Sequence, residues 1–407
     1  MSDCRAIQRS YRLRAYPNAT QRKQLAICMG HSRFAYNLSL ESISFAYRTQ
    51  GQNFTTIDAS RALTELKRDP DYAWLRDCPA TCISQSLRSL DAAFKNFFAG
   101  RAQYPKFKKK SGKQVAKFQL DSRNLTCSPG KWLKLPKLGL IKLRWCRVPK
   151  GLPKMATVTL DADGRYWCSF MVEETIQPIP KTGEAIGVDM GIKDIAVTSN
   201  GWHSGAPRHT YRLARELKLA QRKLARKQKG SRRRAKQRVK VARIHARIAA
   251  SRQDALHKIS HAIIKQADVI CIEDLNVKGM ARNHCLAKAV SDASMGELRR
   301  QIEYKAAWND RTVVKIDRWF PSTKMCSSCG KLHDMPLNKR TMACDCGNTM
   351  DRDANAAQNI LAEGVRSLRD GGRYLPDDGL NSIDLATVEA RDSRVMTKCG
   401  TSQAAAA

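Results

Sequence analysis

The spacing of apolar and polar positions changes several times along the chain, and each change marks an expected element. Residues 10–15 (SYRLRA) alternate apolar and basic positions, which predicts a half-buried strand. After Pro17-Asn18, residues 20–49 place Leu25, Met29, Phe34, Leu38 and Leu40 at helical spacing, and helical patterns return at 57–66 and 80–98. In the last of these, Leu87, Leu90, Phe94, Phe97 and Phe98 lie on one stripe, read as core between helices rather than as a platform for stacked bases. Together these segments predict a helical bundle. From 115 to 174 the signal becomes short strands broken by Pro and Gly (KFQL, LKLPKLGLIKLRW, ATVTLDADGRYWCSFMVEE), with the DADG at 161–164 as a hairpin turn. That predicts an antiparallel barrel or sandwich. The first strand is expected to join it, with the bundle inserted between.

Residues 178–182 read as a linker, followed by AIGVDMGIKDIAVTS at 185–199: an apolar strand, a Gly-containing turn and a second strand. Asp189 falls where that strand would demand an apolar side chain. A buried carboxylate costs several kcal/mol (~) unless it is paired or holds a cation, so its position points to function; capping the turn at Gly191 is the plainer alternative. Residues 209–266 read as two long basic helices broken at Gly230-Ser231, with Leu213, Leu217, Leu224, Val241, Ile244 and Ile248 as their apolar seam. DVICIEDL at 268–275 is a continuous apolar run, the mark of a buried parallel strand delivering Glu273 at its C-terminal end. A helix over 297–311, a strand over 312–316 and an Ala/Asn-rich helix over 353–361 complete an α/β unit. From about 366 the chain is Gly/Asp/Ser-rich and reads as a disordered tail.

Charge narrows the function. The chain carries 73 Lys and Arg against 37 Asp and Glu, a formal charge of +36 over 407 residues. A surplus of that size points to a polyanion, nucleic acid first. It is concentrated in two places. Tyr104, Lys106, Phe107, Lys108, Lys109 and Lys110 interleave cations with aromatics, the composition of a phosphate- and base-contacting run. Between 222 and 247, 13 of 26 residues are basic and none is acidic, including Arg222, Lys223, Arg226, Lys227, Arg232, Arg233, Arg234 and Arg238. Like charges at such spacing destabilise a bare helix, and a phosphate backbone relieves them. No apolar run reaches transmembrane length and no signal-peptide pattern opens the chain, so no membrane partner is expected. Ten of the 14 cysteines are scattered singly, several in apolar stretches, which fits a reducing cytoplasm rather than a secreted disulfide scaffold.

The other four cysteines sit in CSSCG and CDCG, within the stretch 320–360 around which the rest is organised. Cys326, Cys329, Cys344 and Cys346 suit a closed, structural Zn²⁺ site. The second pair is one residue tighter than usual, which leaves His333 as a possible replacement for Cys344. Directly behind lies DRD, 351–353. Asp189, Glu273 and Asp353, from two strands and a helix start, form a carboxylate set suited to Mg²⁺, and two such ions serve phosphodiester cleavage. The absence of a Gly-rich phosphate loop argues against ATP hydrolysis. A basic surface beside clustered acids reads as a nuclease.

GVDMGIKDIAV, CIEDL, CSSCG…CDCG and DRDANAAQN, in that order, resemble the RuvC-like motifs of TnpB proteins, the RNA-guided DNA endonucleases of insertion sequences related to type V CRISPR effectors. RLRAYPNATQ, RFAYNLSL, LDAAFKNFF, YPKFKKK and LKLPKLGLIKL extend the resemblance over roughly residues 5–362. It implies a multi-domain α/β fold: a β-barrel wedge domain (1–16 and 111–180) interrupted by a helical recognition domain (17–110), an RNase H-like RuvC domain (181–320 and 351–365), a zinc-ribbon insertion (321–350) and the tail (366–407). It implies Asp189, Glu273 and Asp353 as catalytic acids, with Asp351 supporting the ribbon–helix junction. A guide RNA from the transposon end and a target double-stranded DNA, cut beside a short adjacent motif, are the implied partners. The alternative is a guide-directed DNA-binding regulator that no longer cuts; such proteins lose the acids, and all three are present here. A transposase working through tyrosine or a His-hydrophobic-His motif is disfavoured, because the eight histidines form no such cluster.

Overall fold

The computed structural model describes residues 4–120, 132–145, 147–151, 153–336 and 338–371. Two compact units make up the chain: Ala6–Thr175 with Lys227–Arg243, and Ile176–Arg226 with Ile244–Ala407 and the first residues.

The first unit opens with strand β1 (Arg5–Tyr16) and three helices, α1 (Ala19–Gln50), α2 (Thr56–Leu66) and α3 (Ala80–Phe98). Asn18 starts α1 with a capping box: its side chain accepts from Gln21 N, and the Gln21 side chain accepts from Asn18 N. Five more strands follow: β2 (Gln114–Gln119), β3 (Trp132–Leu135), β4 (Gly139–Arg144), β5 (Met155–Leu160) and β6 (Tyr166–Ile176). The sheet order is β2-β5-β6-β1-β4-β3, a nearly closed barrel with antiparallel pairs at β1·β4, β2·β5, β3·β4 and β5·β6. The chain reverses between β5 and β6 through Asp161–Gly164, as the DADG signal predicts. One apolar core runs from barrel residues such as Leu13, Phe118 and Ile141 to helix residues Leu25, Met29 and Leu87. The inserted helices therefore share the barrel's core and add a small cluster of their own, Tyr36, Leu40 and Leu90 with Ile43 and Phe94. The aromatic stripe of α3 divides: Leu87 and Leu90 are buried, whereas Phe98 is 79% exposed, so the core reading fails at the helix end, where the helix outruns its partners.

The second unit contains β7 (Ala185–Asp189), β8 (Val197–Thr198), short α4 (His209–Arg212), α5 (Ala214–Ala225) and α6 (Arg232–Gln266), whose first turns are grouped with the other unit. Next come β9 (Val269–Glu273), α7 (Val277–Met280), α8 (Ala287–Ala293), α9 (Met295–Trp308) and β10 (Thr312–Ile316). A hairpin of β11 (Thr341–Ala343) and β12 (Thr349–Asp351) leads into α10 (Arg352–Arg369). The main sheet has the order β10-β9-β7-β8, with β10, β9 and β7 parallel and β8 antiparallel. Period-2 alternation assigns its faces. Ile186, Val188, Ile270 and Ile272 pack with Leu256, Ile263 and Leu298 on one side. Ala185, Val269, Cys271 and Val314 pack with Ile360 and Leu361 of α10 on the other.

Helix α10 runs to Arg369, well past the 353–361 expected, because Ile360, Gly364 and Val365 continue its buried stripe. Most of the expected tail, from 372 onward, lies outside the described residues. The expected seam of the basic helices is half formed: Val241, Ile244 and Ile248 are buried, whereas α5 buries none of its residues.

Candidate functional site

Asp189 is the last residue of β7 and Glu273 the last of β9, and these strands run parallel with Val188 opposite Ile272. The two acids therefore stand side by side at one sheet edge. By alternation they share the face of Gly187 and Cys271, the face that α10 covers. Gly187 explains how closely α10 covers it. A Cβ there would lie 2.0 Å from the Ala357 carbonyl oxygen and 2.6 Å from Leu361 N, so only glycine lets the helix backbone touch the strand. Gly364 does the same further along, where a Cβ would meet Cys271 Sγ at 2.3 Å. This contact puts Asp353, one turn before Ala357, at the acids' end of the sheet.

The electrostatics record the approach. Burial pushes the Asp189 carboxyl up to about 7, and the neighbouring Asp353 and Glu273 charges add to the rise. Burial, then Asp274, raises Glu273 to about 7 as well. Neither Asp189 nor Glu273 forms an ion pair with a described residue, while Arg352 Nε lies 3.8 Å from Asp353. Asp274 behaves oppositely: it pairs with Arg318 and with Arg299 at 2.7 Å, and those guanidiniums hold its carboxyl below the usual range. Adjacent acids in one sequence thus do different work. Asp351 caps α10, accepting from Asp353 N at 2.9 Å and Ala354 N at 3.3 Å, which agrees with a junction role.

Among the described residues, Cys326, Cys329, Cys344 and Cys346 are the group whose ligand atoms all lie within 4.8 Å of one another. Sγ–Sγ distances of 3.7 Å (Cys326–Cys346) and 3.5 Å (Cys329–Cys344) approach the ~3.8 Å tetrahedral edge that Zn–S bonds of ~2.3 Å require. The four thiols therefore fit zinc. Gly330 and Gly347 follow the two knuckles at φ of 74° and 88°, a conformation that side chains resist. His333 Nε2 lies 3.1 Å from Cys344 Sγ, beside that thiol rather than in its place. The three carboxylates do not form such a metal-ready group among the described residues. An all-oxygen donor set, two of whose members form no ion pair with a described residue, fits a hard divalent cation.

Sequence reasoning missed the bolts between ribbon and helix. Asn355 and Asn359 are buried, and each donates to Met325 O, at 2.7 and 2.6 Å; Asn359 also donates to Ser322 O at 2.7 Å, and Asn355 Oδ1 accepts from Ser327 N at 2.9 Å. Their signal was legible: two Asn at i and i+4 on the apolar face of an Ala-rich helix.

The expected nucleic-acid residues fall into two groups. Tyr104 packs edge-on against Phe94 and Phe97 and bonds Ser44 Oγ at 2.7 Å, and Lys108 Nζ sits 3.6 Å over the Tyr36 ring, pushed down to about 8 by burial and by Lys117. Both make these contacts within the unit while remaining exposed. Lys106, Phe107, Lys109 and Lys110 are exposed, as are Arg222, Lys223, Arg226, Arg232, Arg233 and Arg238; Lys227 is half-buried, and Arg234 donates to Lys227 O at 2.7 Å. No described helix is long and apolar enough to cross a membrane.

Comparison with known proteins agrees with this layout. Residues 169–284 match the OrfB_IS605 family model, described as a probable transposase, and 296–360 match the Cas12f1-like TNB domain. Residues 1–52 match a domain described as helix-turn-helix, although here that segment is strand β1 followed by the single helix α1. A Streptomyces pristinaespiralis protein named "Putative RNA-guided DNA endonuclease" is 39% identical, over 95% of this chain and 97% of its own. InsQ of Escherichia coli K12, with the same designation, is 29% identical over 87% and 92%. The fold resembles Cas12f1 as solved in a complex with sgRNA and target DNA, with a TM-score of 0.51 at 14% identity, covering 87% of this chain and 98% of that one. Identity of this extent over nearly the whole length makes the chain a member of the TnpB family, OrfB_IS605.

Proposed function

We propose that this protein is an RNA-guided, Mg²⁺-dependent DNA endonuclease of a transposable element, working through an RNase H-like RuvC site. The observation that carries the reading is the approach of Asp189, Glu273 and Asp353 at one sheet edge, where burial and the other two charges raise the Asp189 carboxyl more than Arg352 lowers it. The three carboxylates would hold the divalent ions. Mg²⁺ bound there supplies Lewis-acid activation of the attacking water and stabilisation of the leaving oxygen. The chain's own work is to hold the acids aligned. Gly187 seats α10, Asp351 caps it, and the Asn355 and Asn359 bonds tie it to the zinc-held knuckle. The exposed cations of the basic helices suit a guide RNA backbone. Pairing with that guide would choose the target, while protein contacts read a short adjacent motif.

The test copurifies RNA with the protein, sequences it, and screens a plasmid library for Mg²⁺-dependent cleavage. One transposon-end RNA and cleavage beside one motif are expected; recovery of no specific RNA would refute the reading. Asp189→Ala should abolish cutting and leave RNA binding within about twofold. Loss of both would make Asp189 a structural residue.

A further inference from the structure

The turn after β10 presents a single indole at the edge where the acids emerge. Trp319 is 84% exposed, the most exposed large apolar side chain among the described residues. A singly exposed apolar residue is ordinary by itself. Its setting is not. Ile316 pairs with Glu273, and Ile316 O accepts from Asp274 N at 3.3 Å, so β10 ends level with the acid-bearing strand. Three residues further on, Trp319 can lie no more than ~10 Å along the chain from that pair.

The turn is also rigid. Asp317 Oδ1 accepts from Trp319 N at 2.7 Å, and Phe320 N donates to Asp317 O at 3.2 Å. Arg318 is locked on Asp274, the residue after Glu273. Phe320 packs inward against the β9–β10 core, and buried Ser322 is tied through its carbonyl to Asn359 at 2.7 Å. Both flanks are bolted down while the indole faces solvent. A large aromatic carried on a hydrogen-bonded turn with its ring open to solvent is the form a base-stacking residue takes, because stacking needs an available π-face at a fixed place and tolerates any base.

Resting on the nuclease reading above, we propose that Trp319 positions the scissile strand by stacking on an unpaired base beside the phosphodiester held at Asp189, Glu273 and Asp353. A base that has left its duplex loses its neighbours, and the indole would replace one of them. The strand would then stop sliding across the acids.

The test uses the full chain loaded with its RNA. Single-turnover cleavage is compared for Trp319→Phe, Trp319→Tyr, Trp319→Leu and Trp319→Ala, with melting temperature and RNA affinity as controls. Stacking predicts that Phe and Tyr stay within about threefold, while Leu and Ala fall about 10- to 100-fold at unchanged melting temperature. In parallel, target DNA carrying 5-iododeoxyuridine next to the cut site is irradiated with the Asp189→Ala protein, and the adduct is mapped by mass spectrometry. The adduct should fall on Trp319. Leucine equal to tyrosine, or an adduct elsewhere, overturns the proposal. The two readings fail separately: cleavage indifferent to position 319 sinks this one alone, whereas an adduct on Trp319 in a protein that never cuts sinks the nuclease.

Discussion

Asp189 is the residue at which folding and function pull apart. Its folded carboxyl titrates near 7, against about 3.8 for an ordinary Asp. The direction fixes the sign. Between about pH 4 and pH 7 the folded protein keeps a proton that the unfolded chain has lost, so metal-free stability falls as pH rises through that window and is level above it. Glu273, also raised to about 7, adds in the same direction. Asp189→Asn should therefore stabilise the metal-free protein at pH 8, by on the order of 2–4 kcal/mol, and change little at pH 4. Thermal melts in a chelator at the two pH values measure this. Adding Mg²⁺ should raise the wild-type midpoint at pH 8 more than the variant's. A variant that melts lower than wild type at pH 8 would show that the carboxylate is held by unseen partners rather than strained by its neighbours.

At the level of elements, the contact between β7 and α10 decides whether the three acids meet. Gly187→Ala would place a methyl 2.0 Å from a backbone carbonyl that cannot rotate away, so the helix must retreat. The expected cost is about 3 kcal/mol in a denaturant titration, at the upper end of overpacking, together with loss of cleavage. Gly296→Ala in α9, where an added Cβ meets only Val277 at ordinary contact distance, is the matched control and should be near neutral. A wild-type-like Gly187→Ala protein would mean that α10 does not seat on the strand. This contact also shows where sequence reading stops. Strands β7 and β9 were legible because short apolar runs rich in Val and Ile and bounded by breaks read as buried strands, and Asp189 stood out because it interrupts such a run. Gly187 did not, since its reason lies 170 residues away in Ala357. The paired cysteines announced the ribbon, and the spacing of Asn355 and Asn359 marked two amides on an apolar face, but their partners, the Met325 and Ser322 carbonyls, were not local. Likewise Tyr104 and Lys108 look like the rest of their basic run, and only the fold shows that they also contact Phe94, Phe97 and Tyr36.

Across the whole molecule the dominant quantity is a charge of +36, which the fold must expose and a polyanion must answer. Exposure separates the cations that can answer it. Arg232, Arg233 and Arg238 lie exposed on α6, whereas Arg234 is half-buried and donates to the Lys227 carbonyl. Each exposed cation that meets a phosphate releases counterions, so it contributes to the slope of log affinity against log salt as well as to affinity. Changing Arg232, Arg233 and Arg238 together to Gln should weaken RNA binding at 50 mM salt and reduce that slope by about 2–3. With RNA held saturating, cleavage should remain within a few-fold, because the acids sit in a different compact unit from this segment. Filter binding across a salt series separates the outcomes. An unchanged slope with weaker binding would mean that these arginines support the helix rather than the nucleic acid, and the polyanion would then have to lie along the exposed lysines of 106–110 instead.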